Sequence, residues 1–315
     1  MVELTAAIDA SVRYLASDAA SDSLRADVYW PKWDSPWWHA LLLVELGAAA
    51  RVPTRGVLGL LDAIARFSVK SFPITDAEMA GLDPHRDVMC HCGLGSVARV
   101  LSACGVDVHR ELPWIEAWFV RYQMADGGLN CDHTAYRASE DAGVCASSMV
   151  GTIAPLEAML CGDPATWSAA RRGFVDRAAA FVIGRRIVDG SASRHNAEER
   201  DAAASWRACC FPRFYFYDAL RGASALLAWS RATGAPLPRD VLAPVVAELS
   251  AAHPDGVVRV ARRPHDGLTT FRRGVTGWAR AGAADEFPLL DAVSTLGAVA
   301  PPLTHALAEL RAALA

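Results

Sequence analysis

A chain of 315 residues that is 52% hydrophobic and 21% charged is long enough to bury a sizeable core. Its net charge of −4 offers no basic footprint for nucleic acid, and no apolar run approaches the roughly 20 residues of a membrane span. The opening Met-Val-Glu-Leu-Thr-Ala-Ala-Ile-Asp is acidic where a secretory signal is positive, so a cytoplasmic location is expected, and the eight cysteines read as reduced core or ligand thiols.

Residues 2–17 predict an opening helix, and Tyr29 to Pro36 form an aromatic, Pro-broken approach to the next one. From Trp37 to Leu46 nearly every residue is apolar, the mark of a helix covered on most sides. Residues 54–69 carry a one-sided stripe (Val57, Leu58, Leu60, Leu61, Ile64, Phe67) that suits an outer helix. The same inner-then-outer pairing follows in 92–104 with 113–124, 147–160 with 164–188, and 217–230 with 238–252.

Each pair is punctuated alike. Gly47, Gly105, Gly162 and Gly234 close the first helices, and Pro53, Pro113, Pro164 and Pro238 stand in the connectors. Gly accepts the left-handed conformation that ends a helix, and Pro is pre-set for a first helical turn. Asp126-Gly127, Asp189-Gly190 and Asp255-Gly256 mark the exits. Residues 70–89 and 189–212 are irregular, each a candidate cover for a cavity mouth, and only Val257 to Val260 looks strand-like. The expectation is one all-α domain over 1–315, with repeats at about 30–70, 90–130, 145–190 and 213–258 and closing helices at 286–314.

The segment from Phe119 through Gln123 and Asp126-Gly127-Gly128 to Leu129 resembles the Gln-Trp motif of squalene/hopene cyclases, with Leu129 at the Trp place. Phe181, Arg185 and Asp189-Gly190 form a degraded copy with Arg at the Gln place. The resemblance implies the α/α toroid of terpenoid cyclases and protein prenyltransferase β subunits, with inner helices around an apolar central cavity. Two departures matter. The cyclase Asp-x-Asp-Asp acid is missing, with Ser139-Glu140-Asp141 and Ala284-Asp285-Glu286 as poor substitutes, and no Asp-Asp-x-x-Asp cluster is present for magnesium.

Two constellations carry chemistry. Cys90-His91-Cys92 and Cys131-Asp132-His133 offer metal-ligand residues in two short runs. Zinc takes Cys, His and carboxylate, and the resemblance implies a zinc held by Asp, Cys and His. The candidate ligands are Cys92, Cys131 and His133, with Asp132 or His91 as substitutes; packed thiols are the alternative reading. The second constellation sits where the inner helices begin. Asp218, Tyr217 and His91 are the proton-handling candidates, and Trp37, Trp38, His39, Ser148, Phe214 and Arg221 the substrate-binding ones. Asp218 also reads as a helix cap, and the aromatics as core. No Walker loop, dinucleotide fingerprint or nucleophile elbow occurs, so no nucleotide cofactor is expected.

Three functions follow as expectations. The first is a terpene cyclase- or prenyltransferase-like enzyme acting on a hydrophobic, isoprenoid or polyene small molecule. The second is a zinc-dependent transferase or hydrolase using the Cys/His site. The third is a non-catalytic carrier of a lipophilic ligand.

Overall fold

The computed structural model describes residues 2–137 and 145–315. In chain order the helices begin with α1 (Val2–Leu15), α2 (Asp18–Ala26), α3 (Pro36–Glu45), α4 (Thr54–Ala65) and α5 (Asp76–Met79). Then come α6 (His91–Ala103), α7 (Val108–Glu111), α8 (Trp114–Tyr122), α9 (Met149–Met159), α10 (Ala169–Gly184) and α11 (Ala197–Ala202). The chain finishes with α12 (Ala219–Thr233), α13 (Arg239–Ala252), the antiparallel strands β1 (Thr269–Gly274) and β2 (Gly277–Ala283), α14 (Pro288–Ser294) and α15 (Pro301–Leu314). Among the described residues the protein is therefore mostly helical, with one small sheet.

The predicted punctuation coincides with the helix ends. Gly47, Gly105, Gly162 and Gly234 all take positive φ, between 72° and 88°, just beyond α3, α6, α9 and α12. Pro53, Pro113 and Pro238 cap the starts of α4, α8 and α13, and Pro164 opens a short 3₁₀ turn before α10. The opening helix is shorter than expected. Ser17 breaks it, accepting from the Ala20 amide at 3.2 Å and so starting α2.

The first helices of the four pairs form the deeper layer. Every residue from Pro36 to Leu43 on α3 is buried, and α9 is buried apart from Val150 and Glu157. α3 packs on α6, α6 on α9 and α9 on α12. Their partners lie against them, α4 on α3, α10 on α9 and α13 on α12. The α6–α9 crossing is the tightest. A Cβ on Gly95 would sit 2.4 Å from the Ala154 carbonyl carbon and 2.5 Å from the Pro155 nitrogen, so glycine is required there.

The four deep helices meet around charge. Arg221 on α12 grips Glu157 on α9 with two of its nitrogens, at 3.0 and 2.7 Å, and Arg99 on α6 reaches the same carboxylate at 2.8 Å. Glu45, at the end of α3, accepts from the Arg213 and Phe214 amides at 2.6 and 2.7 Å and so ties the approach to α12 back onto α3. Burial alone would raise the Glu157 carboxyl, but the Arg221 and Arg99 guanidiniums hold it down to about 2.

The Gln-Trp-like segment has a mechanical role. Gln123 donates to the Gly127 carbonyl at 2.8 Å and to Phe174 on α10 at 3.0 Å, and accepts from Arg177 at 2.8 Å. Arg185, at the same place in the degraded copy, donates to the Asp189 carbonyl at 2.8 Å and also binds Glu199 at 2.7 Å. In both repeats the side chain thus ties off the carbonyl four residues on.

The hairpin β1–β2 was not expected. Its strands are largely exposed on both faces, and Val275 at its tip is fully exposed. Phe271 packs on Trp30 and His85, and the Thr270 hydroxyl accepts from the Lys32 amide at 2.8 Å.

Candidate functional site

The structure brings three thiols together. Cys90 is the N-cap of α6, Cys92 lies in its first turn, and Cys131 comes from the segment beyond the Gln-Trp-like turn. Their sulfurs lie within 4.8 Å of one another, with Cys90 and Cys92 Sγ 3.3 Å apart. The Gly93 amide donates to Cys90 Sγ and the Cys92 amide to Cys131 Sγ, each at 3.3 Å. Free N–H groups at a helix start favour negative charge, which suits thiolate. Hydrogen bonds from Cys131 and Cys92 hold the Cys90 thiol well below its ordinary range, whereas the same thiol contacts push Cys92 and Cys131 well up.

His133 and Asp132 do not join this cluster. Asp132 turns the other way, accepting from Thr134 at 2.9 Å and pairing with His195 Nε2 at 2.9 Å. His133 stands beside Asp132, its Nδ1 3.9 Å from the carboxylate. Cys90 takes the place that the sequence had assigned to His133. A residue at a helix cap and one two positions later can face the same point, while the residue between them faces away.

That intervening residue, His91, is buried in an aromatic nest with Phe72, Trp118, Tyr122 and Tyr136. Trp118 Nε1 donates to its Nδ1 at 2.8 Å, so Nε2 carries the proton and donates to the Tyr136 hydroxyl at 2.9 Å. Burial pulls its pKa down to about 3, keeping the ring neutral. Tyr217 donates to the Ile187 carbonyl at 2.7 Å. Asp218 caps α12 through the Arg221 amide at 2.8 Å and accepts from the Cys210 amide at 3.2 Å. The three proton-handling candidates are thus each bonded within the fold, in three separate settings.

The substrate-binding candidates also divide. Trp38 and Phe214 pack with Trp33, the Trp33–Phe214 rings stacked at 5.1 Å, and Trp37 packs on Tyr29. Trp33 and Phe214 both hold positive φ, 65° and 46°, a strained conformation for large side chains. His39 lies elsewhere, between Ser11 and Phe287. Ser148 caps α9, and Arg221 belongs to the ion network.

Beside the thiols opens a cleft of about 210 Å³, whose lining includes Tyr29, Trp30, Lys32, Phe67, Met89 and Cys90. The irregular stretch before α6 supplies one wall, through residues 84–90. The Lys32 ammonium lies 5.5 Å from the Trp30 and Tyr215 rings and 5.9 Å from Trp33, and it donates to the Tyr215 hydroxyl at 3.3 Å. Burial lowers its pKa, and the neighbouring Cys90 and Cys92 sulfurs oppose that shift. The sequence reading passed over Lys32 because its surroundings come from three distant segments.

A second metal-like group, His265, Asp266 and Glu286, lies behind Trp33. Arg263 already bridges both carboxylates, at 2.7 and 2.6 Å, and offsets part of their charge. Of the acidic substitutes, Asp285 pairs with Arg272, and Ser139-Glu140-Asp141 lie outside the described residues. No helix among the described residues is long and apolar enough to cross a membrane.

The thiol set fits a soft divalent ion by its donor chemistry: three sulfurs, two amide-to-sulfur hydrogen bonds, and no fourth Cys, His, Asp or Glu in the group among the described residues. Set beside known proteins, the chain finds no matching family model, curated protein or solved structure.

Proposed function

We propose that the protein is a zinc-dependent enzyme, a transferase or hydrolase acting on a small molecule in the cleft beside Cys90, Cys92 and Cys131. One observation carries this reading: three cysteines from two segments converge within 4.8 Å, and one of them, Cys90, lines that cleft. Structural zinc sites are closed by four protein ligands, whereas catalytic ones keep a position open. Three ligands and an adjacent cleft match the second kind. Zinc bound there would supply Lewis acidity, moderated by three thiolates in favour of transfer to sulfur over hydrolysis. The chain's own residues do the rest. The α6 N-terminus favours the thiolates, Trp33 packs on Trp38 and Phe214 beside Lys32, and the β1–β2 hairpin holds the Lys32 backbone in place.

We further infer the α/α toroid. The succession α3, α6, α9, α12 with outer partners, and the return from Phe214 to Glu45 and Trp38, support it. On this reading the prenyltransferase-like frame serves, at this cleft, a substrate smaller than a polyene. A cleft of about 210 Å³ is below the roughly 300–1,000 Å³ of drug-sized pockets, and the meeting point of the deep helices carries the Arg99–Glu157–Arg221 charges.

The test is metal analysis of protein purified without chelator, alongside Cys131→Ala. The expected result is about one zinc per chain, lost from the variant. Zinc-free wild-type protein that takes up none on reconstitution would end the proposal.

A further inference from the structure

Lys32 is a cation whose position is built and which no carboxylate among the described residues faces. Its backbone is fixed by the Thr270 hydroxyl at 2.8 Å and followed by Trp33 in the left-handed region. Its ammonium is partly buried in a three-ring box, and among the described residues no carboxylate lies within ion-pair distance. Arg86, on the same cleft, has Asp27 at 3.4 Å. Of the three N–H groups of Lys32, Tyr215 takes one. An ammonium removed from water without an anion is costly, so a fold that holds one beside a cleft leaves room for the anion to arrive.

Building on the reading of this cleft as the active site, we propose that Lys32 is its anion-recognition group and that the substrate is a small amphiphile with one anionic head on a short apolar body. The head meets Lys32 and Tyr215. The body lies along Trp30, Phe67, Val88 and Met89, and its reacting end reaches Cys90 and the thiol cluster. A cleft of about 210 Å³ limits that body to a short chain or a single ring. A carboxylate and a phosphate share this chemistry.

Isothermal titration separates the possibilities, using hexanoate, hexyl phosphate, hexan-1-ol and hexylammonium on the purified protein, on Lys32→Met and on Lys32→Arg, with zinc measured in each sample. The expected result is saturable binding of at least one anion, weakened about tenfold in Lys32→Met at unchanged metal content, with Lys32→Arg keeping most of it. The better-bound anion identifies the head. Equal binding of hexan-1-ol or hexylammonium, no anion binding, or full binding by Lys32→Met would overturn the proposal. If Lys32→Met loses zinc and the wild type shows no anion preference, Lys32 only balances thiolate charge, and the metal reading stands without this one. Anion selectivity in zinc-free protein would do the reverse. Near-ultraviolet circular dichroism shows whether each variant keeps its packing.

Discussion

Two charged regions lie within one helical frame, and they are built on opposite terms. Around Glu157 the carboxylate is closely paired: Arg221 is bidentate, Arg99 adds a third bond, and the remaining Arg221 nitrogen donates to the Phe214 and Phe216 carbonyls at 3.0 and 2.6 Å. Around Cys90 little is answered: three thiols crowd together, Lys32 has no carboxylate among the described residues, and Trp33 beside it sits on a strained backbone. The first region closes the frame. The second has the unpaired chemistry that a ligand completes, and such departures from local consistency gather at functional sites.

The comparison breaks first at Glu157. Glu157→Ala leaves the buried Arg221 and the partly buried Arg99 guanidiniums without their carboxylate and is expected to cost about 3–5 kcal/mol in urea unfolding. A loss below about 1 kcal/mol would mean that the network is not holding the deep helices. The same carboxylate sets an acid limit. Its folded pKa of about 2 lies below the unfolded value, so its stabilisation is complete above about pH 4.5 and is lost as pH falls toward 2. That contribution is about 3 kcal/mol and should be absent from the acid titration of Glu157→Gln.

Lys32→Met sharpens the contrast, because it abandons no carboxylate among the described residues and only one hydrogen bond, to Tyr215. Its stability is expected within about 1 kcal/mol of wild type, against several for Arg221→Met. Equal losses in the two variants would give Lys32 a structural role like that of Arg221. The smallest effect belongs to the repeat tie. Gln123→Ala removes bonds to Gly127, Phe174 and Arg177 at the partly exposed α8–α10 seam, and about 1 kcal/mol is expected from thermal unfolding.

The frame was legible because its signals are local. Gly47, Gly105, Gly162 and Gly234 announce helix ends by their own backbone freedom, and the buried run Trp37 to Leu43 announces a deep helix by composition. Asp218 was legible as a cap for the same reason. The site was not, because convergence is non-local. Cys90 and His91 are adjacent, yet one faces the thiols and the other an aromatic nest set by Phe72, Trp118 and Tyr136. Lys32 gains its meaning from Tyr215 and Thr270, far along the chain. The hairpin escaped because Thr269 to Ala283 shows no alternating burial, and its strands are ordered by each other and by Trp30.

The most direct measurement is X-ray absorption at the zinc edge on the purified protein. A first shell dominated by three sulfurs at about 2.3 Å, reduced in Cys90→Ala, is the result this account requires. A shell of nitrogen and oxygen alone, or one unchanged by loss of Cys90, would place the metal elsewhere and contradict it.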